Sequence, residues 1–158
     1  MIQRQNAQNT AQEKLIYVAS PLRGATSEIV ADNMERAKQY VAKFSEVLKD
    51  YGIRAIAPHA VLPNLLNDFD ERQRELAMEI CFRLIKICVG LIVVGNATSG
   101  MLAEMEYAHR LKMPVFLIAE EEALKYWYNG MPNHPCAMIT SVLAQGFGHS
   151  WLTNIAIR

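Results

Sequence analysis

Three short stretches of this chain place polar side chains where chemistry could be done. The first is Ser20-Pro21-Leu22-Arg23-Gly24. Backbone N–H groups at a helix start, together with the Arg23 guanidinium, would hold an anion such as a phosphate. The same residues also read as a plain turn with a solvated arginine and a glycine needed for backbone shape. They form neither a Walker loop nor the three-glycine dinucleotide fingerprint. The second stretch is Ser99-Gly100-Met101-Leu102-Ala103-Glu104. Glu104 falls near the first turn of a helix, where the dipole favours an ionised carboxylate. A carboxylate in a strand-end cleft suits attack on a sugar anomeric carbon, although glutamate near a helix start also serves stability alone. The third comprises Ala57-Pro58-His59 and the acidic group Asn67, Asp68 and Asp70. His59 either lines a pocket or caps a strand, and the acidic group is suited to N-capping the helix that follows.

The remaining reactive types point nowhere else. His109, His134 and His149 lack partners at metal-ligand spacing, so neither a metal nor any other cofactor is expected. No serine or cysteine stands in a nucleophile context. The cysteines are Cys81, Cys88 and Cys136; the first two are seven apart in an apolar helical pattern and read as buried, reduced thiols. That usage suggests a cytoplasmic protein.

Sixteen basic and sixteen acidic residues leave no net charge, which argues against a nucleic-acid polymer or a membrane surface as partner. No apolar run reaches the roughly 18 residues of a membrane span. The polar start of the chain is unlike a secretion signal, so residues 1–13 are expected to be a loose tail or short leading helix, with one domain over 14–158. With 158 residues, 51% of them hydrophobic, the chain is long enough for a sizeable core.

The elements that must position these groups follow from apolar periodicity. Leu15–Ala19 is a short strand stopped by Ser20-Pro21. Ile29 or Val30, Met34, Ala37, Val41, Phe44 and Leu48 recur at helical spacing, and Gly52 ends that helix. Ile53–Pro58 reads as a second strand. A helix over 71–88 carries Leu76, Ile80, Leu84 and Ile87 on one side. Leu91–Gly95 is a β-branched run typical of a strand buried on both faces. A helix from Met101 to Leu111 and a strand from Met113 to Ile118 complete the alternation. Strands alternating with helices give a doubly wound parallel sheet in three α/β/α layers. Beyond it, 121–128 and 136–144 read as short helices, 129–135 as a loop, and the tail bearing Phe147 and Trp151 as a subunit contact. In such a sheet, ligands bind outside the carboxyl ends of the strands. The three polar stretches all fall there, which suggests a nucleoside- or nucleotide-like ligand.

In order along the chain, Tyr17-Val18-Ala19-Ser20-Pro21-Leu22-Arg23-Gly24, Ala57-Pro58-His59, Asp70-Glu71-Arg72, and Ser99-Gly100-Met101 with Glu104 and Ala108 resemble the nucleoside 2-deoxyribosyltransferase-like superfamily, especially its small bacterial and phage branch. The likeness spans Leu15 to Ile118, about two thirds of the chain. It implies a flavodoxin-like sheet, a homodimer or larger homo-oligomer, and cleavage of a nucleoside or nucleotide N-glycosidic bond by hydrolysis or transfer. By the same resemblance Glu104 is the nucleophile, Tyr17 lies beside it, and Ser20, Arg23 and Gly24 hold a 5′-phosphate. Pro21, His59, Asp68, Asp70, Ser99, Gly100 and Met101 complete the expected substrate-binding set. Two positions depart from the family pattern: Val89 and Thr98 stand where acidic residues that handle the base are common. His59, Asp68 and Asp70 are the groups left for that task. The departures also suit an alternative, a non-catalytic protein that senses or sequesters a nucleotide.

Overall fold

The computed structural model describes residues 12–124, residue 139 and residues 154–157. Five parallel strands form one sheet in the order β2-β1-β3-β4-β5: β1 (Lys14–Ala19), β2 (Ile53–Ile56), β3 (Leu91–Val94), β4 (Val115–Ile118) and β5 (Asn154–Ile157). Among the described residues it is accompanied by α1 (Ser27–Leu48), α2 (Glu71–Ile85), α3 (Ser99–Arg110) and α4 (Glu120–Leu124). This is the flavodoxin-like order, and its switch point lies between β1 and β3.

Side-chain alternation along the strands divides the core into two layers. Ile16 and Val18 of β1, with Ile92 and Val94 of β3, pack against Ala37, Tyr40, Phe44 and Leu48 of α1. Tyr17 and Ala19, with Leu91 and Val93, face Cys81 and Ile85 of α2 and Met101, Met105 and Ala108 of α3. Every residue of β3 is buried, as a central parallel strand requires. Phe82 and Tyr107 lock α2 to α3, their ring centroids 4.9 Å apart.

Each long helix starts on a side-chain cap. Thr26 accepts from the Ile29 N–H at 3.4 Å, Asp70 from the Gln73 N–H at 3.1 Å, and Thr98 from the Met101 N–H at 3.4 Å. Gly52, at φ 67°, takes the left-handed conformation that closes the turn after α1.

Several expectations need correction. The buried face of α2 is Cys81 and Ile85, continued by Cys88, whereas Leu76 and Ile87 are exposed. The apolar residues expected on one side overshoot because α2 shares its layer on the sheet with α3. Of the two residues left open at the start of α1, Val30 is the buried one and Ile29 is exposed; Tyr40 is more deeply buried than Val41. The second strand ends at Ile56, and Pro58–Ala60 tightens into a 3₁₀ turn. Asn154–Ile157, read from the sequence only as part of a tail, forms a strand that pairs within the chain along β4. Both Phe147 and Trp151 lie outside the described residues, as do Cys136 and the loop over 129–135. Among the described residues, no helix is long and apolar enough to cross a membrane.

Candidate functional site

A cleft opens at the carboxyl ends of β1 and β3, enclosing about 750 Å3 including the part open to solvent. The turn after β1 supplies Ser20, Leu22 and Arg23; the 3₁₀ segment after β2 supplies His59, Leu62 and Leu66. Arg74, Met78 and Cys81 project from α2, and α3 brings Thr98, Ser99, Gly100, Met101 and Glu104. Leucine and methionine therefore form the walls, and polar groups gather at the switch point. An apolar wall with a few convergent polar groups is the usual lining of a small-molecule site.

Glu104 occupies the floor. It is the sixth residue of α3 rather than part of its first turn, and only 6% of it is exposed. The expectation that a helix dipole would favour its ionised form therefore gives way to burial. Loss of water raises its carboxyl to about 7, although the hydrogen bond from Tyr17 pulls the other way. The Tyr17 hydroxyl donates to Glu104 Oε1 at 2.6 Å. Burial, and then the neighbouring Glu104 charge, hold the Tyr17 phenol well above its ordinary range, so it remains a donor at any physiological pH.

A second buried pair lies across the cleft. Ser20 Oγ and His59 Nε2 are 2.8 Å apart, and both residues are buried. Desolvation lowers His59 to about 4, so the imidazole is neutral and exchanges a hydrogen bond with the hydroxyl. Sequence proximity does not create this pair; β1 and β2 do, by lying side by side with Tyr17 opposite Ile56.

Most of the expected site residues thus converge. Ser20, Arg23, His59, Asp68, Ser99, Gly100, Met101 and Glu104 line the cleft, and Tyr17 lies under it. Pro21, Gly24 and Asp70 are not on the lining. Asp70 caps α2. Gly24 lets Ile29 approach: a Cβ there would lie 2.3 Å from Ile29 Cγ2. A Cβ added at Gly95, the residue at φ 75° that follows β3, would lie 4.0 Å from Pro21 Cδ.

Sequence reasoning missed Cys81 and Arg74. Cys81 was legible only as a core thiol, because nothing local reveals that α2 crosses beside α3. Arg74 follows the capped start of α2 and gives no motif. Among the described residues, no three His, Cys, Asp or Glu side chains gather as a metal-ion cluster.

Fold and site together define a flavodoxin-like α/β domain with a buried carboxylate at its switch point. The chain belongs to the family "Domain of unknown function (DUF7768)", which matches residues 14–118. No curated protein matches the sequence. The chain is similar to the solved 2-deoxyribosyltransferase from the psychrotolerant bacterium Bacillus psychrosaccharolyticus, with a TM-score of 0.48 and 18% identity over 91% of this chain and 98% of that one.

Proposed function

We propose that this protein cleaves the N-glycosidic bond of a nucleoside or nucleotide, as an N-glycosidase or deoxyribosyltransferase-like enzyme, with Glu104 as nucleophile. The observation that carries this reading is the buried Glu104 carboxyl, held by Tyr17 at 2.6 Å in a cleft at the carboxyl ends of the strands. The motif order resembling the deoxyribosyltransferase-like superfamily supports the same assignment.

The ionised Glu104 oxygen attacks C1′ as the C1′–N bond breaks, and the base departs with the bonding pair and takes up a proton. The transition state is oxocarbenium-like, so the carboxylate also stabilises its positive charge. Water, or the nitrogen of a second base, then attacks C1′ and releases Glu104. Tyr17 fixes the carboxylate orientation throughout. Arg23 stands at the mouth, where it would meet a phosphate, and the leucine and methionine walls accept a flat base.

The test is incubation with nucleosides and nucleoside monophosphates, with free base followed by mass spectrometry. Base release by wild type and not by Glu104→Gln is expected. Equal release by Glu104→Gln would overturn the mechanism. Thr98 caps α3 where an acid would handle the base, which favours a second reading, a nucleotide-binding protein. Recovery of a bound, intact nucleotide from wild type would support it instead.

A further inference from the structure

Ser20 and His59 take no part in the chemistry assigned to Glu104, yet they form the other buried polar pair of the cleft. Ser20 Oγ and His59 Nε2 are 2.8 Å apart, and the two residues are 4% and 7% exposed. Among the described residues neither side chain has another partner, so His59 Nδ1 stands unpaired on the cleft lining. The pair has two possible forms. Either Ser20 donates to Nε2 and Nδ1–H is left as a donor, or Nε2–H donates to Ser20 and Nδ1 is left as an acceptor. Each form leaves one donor and one acceptor unmatched. Buried polar groups in that state are costly, and a ligand hydroxyl, donor and acceptor at once, satisfies both forms.

The order along the chain says which hydroxyl. Tyr17, Ser20 and Arg23 follow one another at intervals of three residues, each a reach of about 10 Å at most. Tyr17 holds Glu104, the group that meets C1′ in the proposed reaction, and Arg23 stands at the mouth, where a phosphate would lie. Between C1′ and a 5′-phosphate a nucleotide carries its sugar, with hydroxyls at C2′ and C3′. We propose that Ser20 and His59 form a sugar-hydroxyl subsite, Ser20 Oγ and His59 Nδ1 exchanging hydrogen bonds with a ring hydroxyl of the pentose. Burial lowers the imidazole to about 4, so the pair is neutral and suits a hydroxyl better than a phosphate. A sugar lacking that hydroxyl leaves both groups buried and unpaired, which is how sites of this kind reject an analogue. The assignment rests on the reading of Glu104 as the group at C1′, but it can be measured without turnover.

The test is calorimetric binding of adenine, guanine, cytosine and uracil nucleoside 5′-monophosphates to the full chain carrying Glu104→Gln, so that none is consumed. Each base is offered with ribose, 2′-deoxyribose, 3′-deoxyribose and 2′,3′-dideoxyribose. The dideoxy form is expected to bind about 10- to 100-fold more weakly than the best hydroxyl-bearing form of the same base. Whichever single deoxy form shares that loss names the hydroxyl. His59→Gln keeps an amide for Ser20 and drops Nδ1, and in that background the discrimination is expected to disappear. A dideoxy form within about twofold of the best hydroxyl-bearing form would overturn the proposal, as would discrimination that survives His59→Gln, or binding of none of the series. Should His59→Gln not fold, the ligand series decides alone. If the discrimination holds but wild type releases no base, the subsite stands and the glycosidic reading falls. If base is released equally from hydroxyl-bearing and dideoxy nucleotides, the reverse holds.

Discussion

Glu104 and His59 give the fold two buried titrations of opposite sign, and a pair of substitutions should separate them. The Glu104 carboxyl rises from an ordinary 4.5 to about 7, and the His59 imidazole falls from 6.5 to about 4. Each pH unit is worth 1.36 kcal/mol, so each group contributes about 3 kcal/mol across its window. Between about 4.5 and 7 the folded protein keeps the Glu104 proton that the unfolded chain has released, so stability falls as pH rises. Between about 4 and 6.5 the unfolded chain protonates His59 while the folded one cannot, so stability rises with pH. Where the windows overlap the slopes cancel, and these two groups leave wild type level from about pH 4.5 to 6.5. Glu104→Gln removes the falling limb. Its stability relative to wild type should climb through that range and exceed it by about 3 kcal/mol above pH 7. His59→Asn should do the opposite, losing most relative to wild type at high pH, where the neutral imidazole no longer adds its share. The assay is urea unfolding followed by circular dichroism at half-unit steps from pH 4 to 8, comparing midpoints at constant m. Curves that run parallel to wild type in both variants would refute the burial argument for both groups.

The kcat/KM for base release should increase with pH through about 7 and level off above it, as Glu104 ionises; a profile flat from pH 6 to 8 would exclude the ionised carboxylate as the reacting form. Tyr17→Phe takes the hydroxyl donor from Glu104 Oε1 and should cut turnover about 10- to 100-fold, measured as initial base release. Gly24→Ala places a methyl 2.3 Å from Ile29 Cγ2 and should displace the Arg23 turn, weakening nucleoside monophosphate binding by calorimetry about tenfold; Gly24→Ala with Ile29→Ala should recover it. Phe44→Ala empties a fully buried site in the α1 layer and should cost about 3–5 kcal/mol in urea unfolding.

Much of the fold was legible because the strands of a parallel sheet, buried on both faces, write continuous apolar runs, and the 91–94 and 115–118 runs are unmistakable. The caps Asp70 and Thr98 were equally open to reading, though only Asp70 was read as one. The α2 face was not, since Leu76 and Ile87 satisfy helical spacing as well as Cys81 and Ile85 do, and only the neighbour across the layer decides between them. The strand at 154–157 was missed because four residues of Asn-Ile-Ala-Ile carry too little alternation to separate a strand from a tail. At the site, the turn after β1 and the start of α3 announced themselves by type and order. Contacts that depend on how elements cross, such as Ser20 with His59, leave no mark on spacing.

The pairing of β5 with β4 has a consequence for the newborn chain. Residues 115–118 must wait for residues 154–157, 36 positions later, before their outer edge is hydrogen-bonded. Until those residues emerge, a growing chain presents Val115-Phe116-Leu117-Ile118 as an apolar strand with an open side. Another nascent chain on the same message carries the same open side, and parallel edge pairing between them competes with completion of the sheet. Slowing synthesis between those two segments lengthens that exposure, and faster synthesis across them shortens it.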